Sequence, residues 1–304
     1  MQSDNNLPWR SGEPSDNPLS QSVGETSYPG EGTSFCSQCG WHWGTGQNFC
    51  PECGHFSAGT GAPELGAPAD CAGQRMGAVT WGGWQIAAGI SVVMISLFAA
   101  AAAAFAIGSL YPEQQDAVAT WISVHLMGLA IVATVWYLGL RHSRDPLAVL
   151  RLSGVQWPRK RTILLMIGVL AASLIATSIY SGIVEWLDLD QFATPDVESG
   201  IFFDGPAVLL TFQALAFITP ISEELFFRGF IFRGLLPKMG PWGAIAASAL
   251  VFSAFHLSLG VLVPIFITGF LLAWLYWRTG SLWAAIGAHA GQNALALGMQ
   301  ALAG

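Results

Sequence analysis

Charge is what this sequence has least of. Of its 304 residues, 12 are Lys or Arg and 19 are Asp or Glu, 10% in all. A soluble domain usually carries about a quarter of its residues as charges. The shortage, beside 53% hydrophobic residues and a mean hydropathy of +0.50, excludes an ordinary soluble domain. It predicts a polytopic membrane protein in a lipid bilayer. Basic residues are outnumbered, and a net charge of −7 excludes a nucleic-acid partner. Cysteine is scarce too: five residues, which do not make a disulfide framework. No secretory leader is visible, because the first apolar run begins near Trp84. An internal repeat of spans, the mark of many transporters, is also absent.

What is present divides the chain. Residues 1–34 are Ser, Gly, Pro, Asn and Glu, with too few apolar groups to offset ordering entropy, and read as a disordered tail. Residues 35–56 hold a small Cys module, and 57–80 are a Gly/Ala/Pro-rich linker. Apolar runs at 84–110, 120–140 and 163–186 fit N-terminal transmembrane helices within 81–190. The run 206–237 is too long for one simple span, and Pro220 predicts a kink or break inside it. Runs at 242–259, 261–277 and 282–303 complete a second block, 200–304. The expected fold class is all-α: a membrane helix bundle of seven spans, eight if the fourth divides, with a small N-terminal zinc ribbon.

Orientation follows from the few cations. Arg141, Arg144, Arg151, Arg159, Lys160 and Arg161 all fall between the second and third spans. That loop should be cytoplasmic, and with it the N-terminus of a multi-pass cell-membrane protein. The acidic stretch 185–204 then lies outside. Trp84, Trp121, Trp186, Trp242, Trp277 and Trp283 sit near expected span ends, where interface anchors belong. His125 and His142 also lie near span ends and call for no special role.

The Cys module repeats one knuckle. Cys36 and Cys39, then Cys50 and Cys53, are two C-x-x-C pairs, each followed by Gly. Four thiolates can close a tetrahedral Zn²⁺ site. The ten-residue spacer is shorter than the common range but is similar to short terminal zinc ribbons. His42 and His55 could substitute as ligands, but a four-Cys site needs neither. A closed structural site leaves no position for catalysis, so the ribbon is expected to bind a cytoplasmic protein partner or to regulate. Cys71 is left over in the linker.

The second block carries polar residues that an oily segment should not hold without a reason. Glu223 and Glu224 are neighbours, so on a helix they point about 100° apart and cannot do the same job. Glu224 and Arg228 stand at i and i+4, the spacing of an ion pair. Glu223 then faces elsewhere, free to serve as a general base. Phe252 and His256 share a face, as do His289 and Asn293. Imidazole and carboxamide can both donate to a developing oxyanion. A base, a water-orienting group and a donor pair are the parts of a water-activating hydrolase. For Glu224 and Arg228 a buried ion pair is the plainer role, and for Phe252 plain core packing is.

Taken together, Glu-Glu-x-x-x-Arg (Glu223, Glu224, Arg228), Phe-x-x-x-His (Phe252, His256) and His-x-x-x-Asn (His289, Asn293) resemble the motifs of the CPBP family. This group of CAAX-type prenyl endopeptidases and bacteriocin-processing or immunity proteins is also called the Abi family. The resemblance covers roughly residues 205–300. It implies an all-helical intramembrane endopeptidase with a CAAX-type, peptide or membrane-protein substrate. By resemblance, Glu223 and His256 activate the water, and His289 and Asn293 stabilise the oxyanion. Glu224 and Arg228 would support them or orient substrate. The family is commonly called a metalloprotease, and a catalytic metal is disputed within it. The H-E-x-x-H motif of soluble zinc proteases is absent here. Glu223, His256 and His289 could ligate one Zn²⁺, or Glu223 could act as a metal-free base. Both stay open. Two other classes compete: a non-catalytic scaffold or immunity factor that binds through the ribbon, and a transporter with a proton relay.

Overall fold

The computed structural model describes residues 34–35, 42–43, 50, 79–153, 160–195 and 198–303. Ser34–Phe35 (β1) and His42–Trp43 (β2) pair antiparallel, with Ser34 opposite Trp43 and Phe35 opposite His42. Cys50 is buried. The expected disordered tail and most of the linker lie outside the described residues, and so do Cys36, Cys39 and Cys53.

Everything else described is helix and connection. Helix α1 spans Gly83–Gly108 and α2 spans Gln115–Val135, prolonged by a π-turn over Trp136–Leu140. The short α3, Pro146–Val149, starts where Asp145 accepts from the Ala148 N–H at 3.0 Å and Pro146 fills the first turn. Helix α4 spans Lys160–Trp186. After short 3₁₀ turns come α5 (Val208–Phe212), α6 (Thr219–Glu224) and α7 (Arg233–Ala254). They are joined by two π-helical segments, Gln213–Ile218 and Leu225–Phe232. Helices α8 (Leu259–Thr279) and α9 (Leu282–Ala303) follow, with Gly280 closing α8 at φ 64°.

Five of these stretches are long and apolar enough to cross a membrane: Gly83–Gly108, Pro112–Leu140, Lys160–Trp186, Gly205–Ala254 and Leu259–Thr279. This is the make-up of a multi-pass membrane protein. Ile95, Phe98 and Phe105 of α1 and Leu164, Ile167, Ile175 and Ile179 of α4 are exposed, as lipid-facing residues would be. Polar contacts tie α4 inward instead. Ser173 bonds Thr268 of α8 and donates to Gln292 Oε1 of α9 at 3.1 Å.

Of the kink or break expected at Pro220, a break is not there. Residues on both sides of it keep helical dihedrals, and Pro220 falls in the first turn of α6, directly after a π-turn. The carbonyl that an N–H at residue 220 would serve in the wider register, Leu215 O, accepts from the Asn293 side chain instead, and such replacement is how a proline passes through a membrane helix. The chain changes direction at Gly240, whose φ of 68° and ψ of 176° belong to a region that is essentially glycine's own.

The core centres on the segment Leu225–Phe232. Phe226, Phe230, Ile231 and Phe232 are buried together with Leu236, Ile245, Phe252 and Tyr276. Trp81 anchors the start of α1 to them, stacking on Phe230 with 5.5 Å between ring centroids. Its indole N–H donates to Phe230 O at 2.9 Å.

Candidate active site

One turn of helix, α6, sends the two glutamates apart. Glu224 turns inward and is fully buried. Its Oε1 accepts from Arg228 Nη1 at 2.7 Å and from His289 Nδ1 at 2.9 Å. Arg228, also fully buried, donates through Nη2 to Gly269 O at 2.9 Å. That reach is possible because α8 lies close: a Cβ on Gly269 would stand 2.8 Å from the Phe252 ring. The guanidinium sits 4.6 Å from the centroid of that ring. A buried charge is stabilised by such pairing and hydrogen bonding.

Glu223 turns the other way, its side chain 21% exposed and its Oε2 3.6 Å from His289 Nε2. It lines a cavity of roughly 230 Å³ together with His256, Thr219 and Ser222. The facing wall is apolar and comes from α1 and α2, including Val93, Leu97, Met127 and Ile131.

Both histidines are oriented through Nδ1. His256 Nδ1 bonds Phe252 O at 3.0 Å, and a carbonyl only accepts, so that nitrogen carries the proton. His256 Nε2 is then left as an acceptor. His289 Nδ1 donates to Glu224 by the same logic, which turns its Nε2 toward Glu223. The Phe252 ring meets His256 and His289 edge-on, at 5.1 Å and 5.8 Å. Asn293 Nδ2 donates to Leu215 O at 2.9 Å.

The structure thus groups Glu223, Glu224, Arg228, Phe252 and His289, and puts Glu223 and His256 on one cavity. Among the described residues, no three of His, Cys, Asp and Glu are grouped to hold a metal ion. Glu223, His256 and His289 are not gathered as such a group. Sequence reasoning missed Gly269, Ser222 and the apolar wall. Gly269 follows the buried Thr268 in an oily helix, a small-residue signal of close helix approach. The wall left no signal, because apolar residues in a membrane helix look alike.

Comparison with known proteins bears on the same stretch. Residues 205–295 match the family described as "Type II CAAX prenyl endopeptidase Rce1-like". All seven motif residues fall inside that match. A Bacillus subtilis (strain 168) protein named "Putative membrane peptidase YdiL" is 35% identical over 94 residues, which cover 31% of this chain and 38% of that protein. The chain thus spans well under half the length of that relative. No solved structure matches.

Proposed function

We propose that this protein is an intramembrane endopeptidase that hydrolyses a peptide bond with a water activated by Glu223 and His256. The observation that carries the reading is that Glu223 and His256 share a cavity with an apolar wall while Glu224 is committed to Arg228 and His289. In this reading His289 donates from both ring nitrogens, Nδ1 to Glu224 and Nε2 toward the reacting group beside Glu223.

Glu223 takes one proton from the water, and His256 Nε2 accepts the other hydrogen as a bond and aims the oxygen. The hydroxide adds to the scissile carbonyl carbon. The carbonyl oxygen becomes an oxyanion and is met by the His289 Nε2–H. Glu223 then passes its proton to the leaving nitrogen as the C–N bond breaks. By family likeness Asn293 would be a second oxyanion donor, but its amide donates to Leu215 O at 2.9 Å.

The cavity wall fits an apolar side chain or lipid chain of a CAAX-type, peptide or membrane-protein substrate. We assign a structural zinc to Cys36, Cys39, Cys50 and Cys53, the ribbon to a cytoplasmic partner, and seven spans to the bundle.

The test uses the full chain in proteoliposomes with a quenched-fluorescence peptide library. Glu223→Gln and His256→Ala should lower turnover by roughly 10²- to 10⁴-fold without changing the thermal transition. Equal turnover in wild type and Glu223→Gln overturns the reading in favour of a scaffold that binds through the ribbon. Elemental analysis of the same samples should find one zinc per chain in both. Two in wild type and one in Glu223→Gln would add a metal at Glu223.

A further inference from the structure

Leu215 O has lost both of its helical partners. Within Gln213–Ile218 the Thr219 N–H reaches back five residues to Ala214 O, so it does not serve Leu215 O as it would in an α-helix. The next N–H in the wider register would belong to residue 220, which is proline and has none. A membrane interior offers no water to replace it. The side chain of Asn293, from α9, donates to this carbonyl at 2.9 Å.

The second π-segment is treated alike. Ser248 Oγ donates to Phe227 O at 2.9 Å, and Trp81 Nε1 donates to Phe230 O at the same distance. Widened turns here have carbonyls that are met by side chains from other elements. Asn293 also stands one turn after His289 on α9, and His289 touches both glutamates. Two polar ties a turn apart therefore hold the stretch from Leu215 to Glu224 against α9. Gln213, where the widened turn begins, is fixed to α2: its Oε1 accepts from Trp121 Nε1 and its Nε2 donates to His125 Nε2, both at 3.1 Å.

We propose that Asn293 is a positioning residue: its amide replaces the N–H that Pro220 lacks, fixes α6 against α9, and so sets where Glu223 stands relative to His289. The tether stands on its own; its catalytic consequence rests on the protease reading above.

A double-mutant cycle tests it. In Pro220→Ala the new N–H can serve Leu215 O, and the tether becomes redundant. Asn293→Ala should lower the unfolding midpoint of the full chain in detergent by a few degrees, and by less than half as much in the Pro220→Ala background. Additive shifts overturn the proposal. Turnover of one library peptide that wild type cleaves gives the second readout. Asn293→Ala should lower kcat with little change in KM, and Pro220→Ala should restore it at least tenfold. The same fold-loss in both backgrounds would make Asn293 an oxyanion donor and overturn the positioning role. Should Pro220→Ala fail to insert, hydrogen exchange of the Asn293 side-chain amide in wild type decides, with its signals assigned by their loss in Asn293→Asp. Slow exchange supports the tether, and exchange as fast as an exposed amide overturns it. If nothing is cleaved, even by wild type, the protease reading fails while the unfolding cycle still tests the tether.

Discussion

Glu224 and Arg228 have no exposed surface, yet they form an ion pair four residues apart on one helical turn. The pair is costly to bury and more costly to break, because removing one partner leaves a charge with no water around it. Arg228→Ala should therefore destabilise the protein by about 3–5 kcal/mol. Glu224→Gln keeps the Oε1 acceptor for Arg228 and His289 and nearly the same volume, so its loss should be smaller. Thermal unfolding in detergent should rank wild type, then Glu224→Gln, then Glu224→Ala and Arg228→Ala. A Gln variant as unstable as the Ala variant would mean that the carboxylate charge, not its hydrogen-bond geometry, holds the site. This pairing was legible in the sequence because it is local: helix pitch alone puts Glu224 beside Arg228 and turns Glu223 away. The second hydrogen bond of the guanidinium, to Gly269 O, was not, since it depends on how closely α8 approaches. Nor did sequence reasoning give Phe252 its place between two imidazoles, with a cation on its face.

Helices were legible as elements because long apolar runs state their own length. The runs read at 84–110 and 163–186 lie within a few residues of α1 and α4. What the sequence did not reveal was how the long run from Gly205 to Ala254 is articulated. Proline looked like the break, but a π-turn absorbs Pro220, and π-turns have no composition of their own. The actual turn, at Gly240 before Pro241, coincides with the gap read between 237 and 242. Its dihedrals predict the consequence. Gly240→Ala forces a Cβ into backbone space that other residues avoid, at a cost of about 1–3 kcal/mol. Gly168 in α4 is the matched control: it is helical, and a Cβ there meets nothing within 4 Å. Gly168→Ala should leave stability unchanged or raise it slightly. Similar unfolding midpoints for the two variants would mean that the Gly240 turn carries no strain.

Across the whole molecule, charge separates by end. Arg141, Arg144 and Arg151 follow α2, and Lys160 and Arg161 open α4. The α8–α9 turn, next to Arg278, joins that end through the Leu282 N–H on Arg151 O at 3.4 Å. The start of α1 lies there too, since Thr80 Oγ1 donates to Gly139 O at 3.3 Å. Arg233 belongs with them, because its neighbour Gly234 abuts Trp81 and Ile86. At the other end are acids: Asp116 against Gly200, and Asp204 accepting from Gln114 Nε2 at 3.3 Å, with Glu198 between them in sequence. The sequence showed this asymmetry as loops; the structure gathers it into two faces. Because cations are retained on the cytoplasmic side, the end bearing Arg141 to Arg161 should face the cytoplasm. A reporter that works only inside the cell, fused after Arg144, should be active, and one that works only outside should be active after Asp190. The reverse pattern would invert the bundle and put the Cys module outside. It would thereby remove the cytoplasmic partner from the proposal while leaving the geometry of Glu223, His256 and His289 untouched, because that geometry depends on helix packing and not on which face meets the cytoplasm.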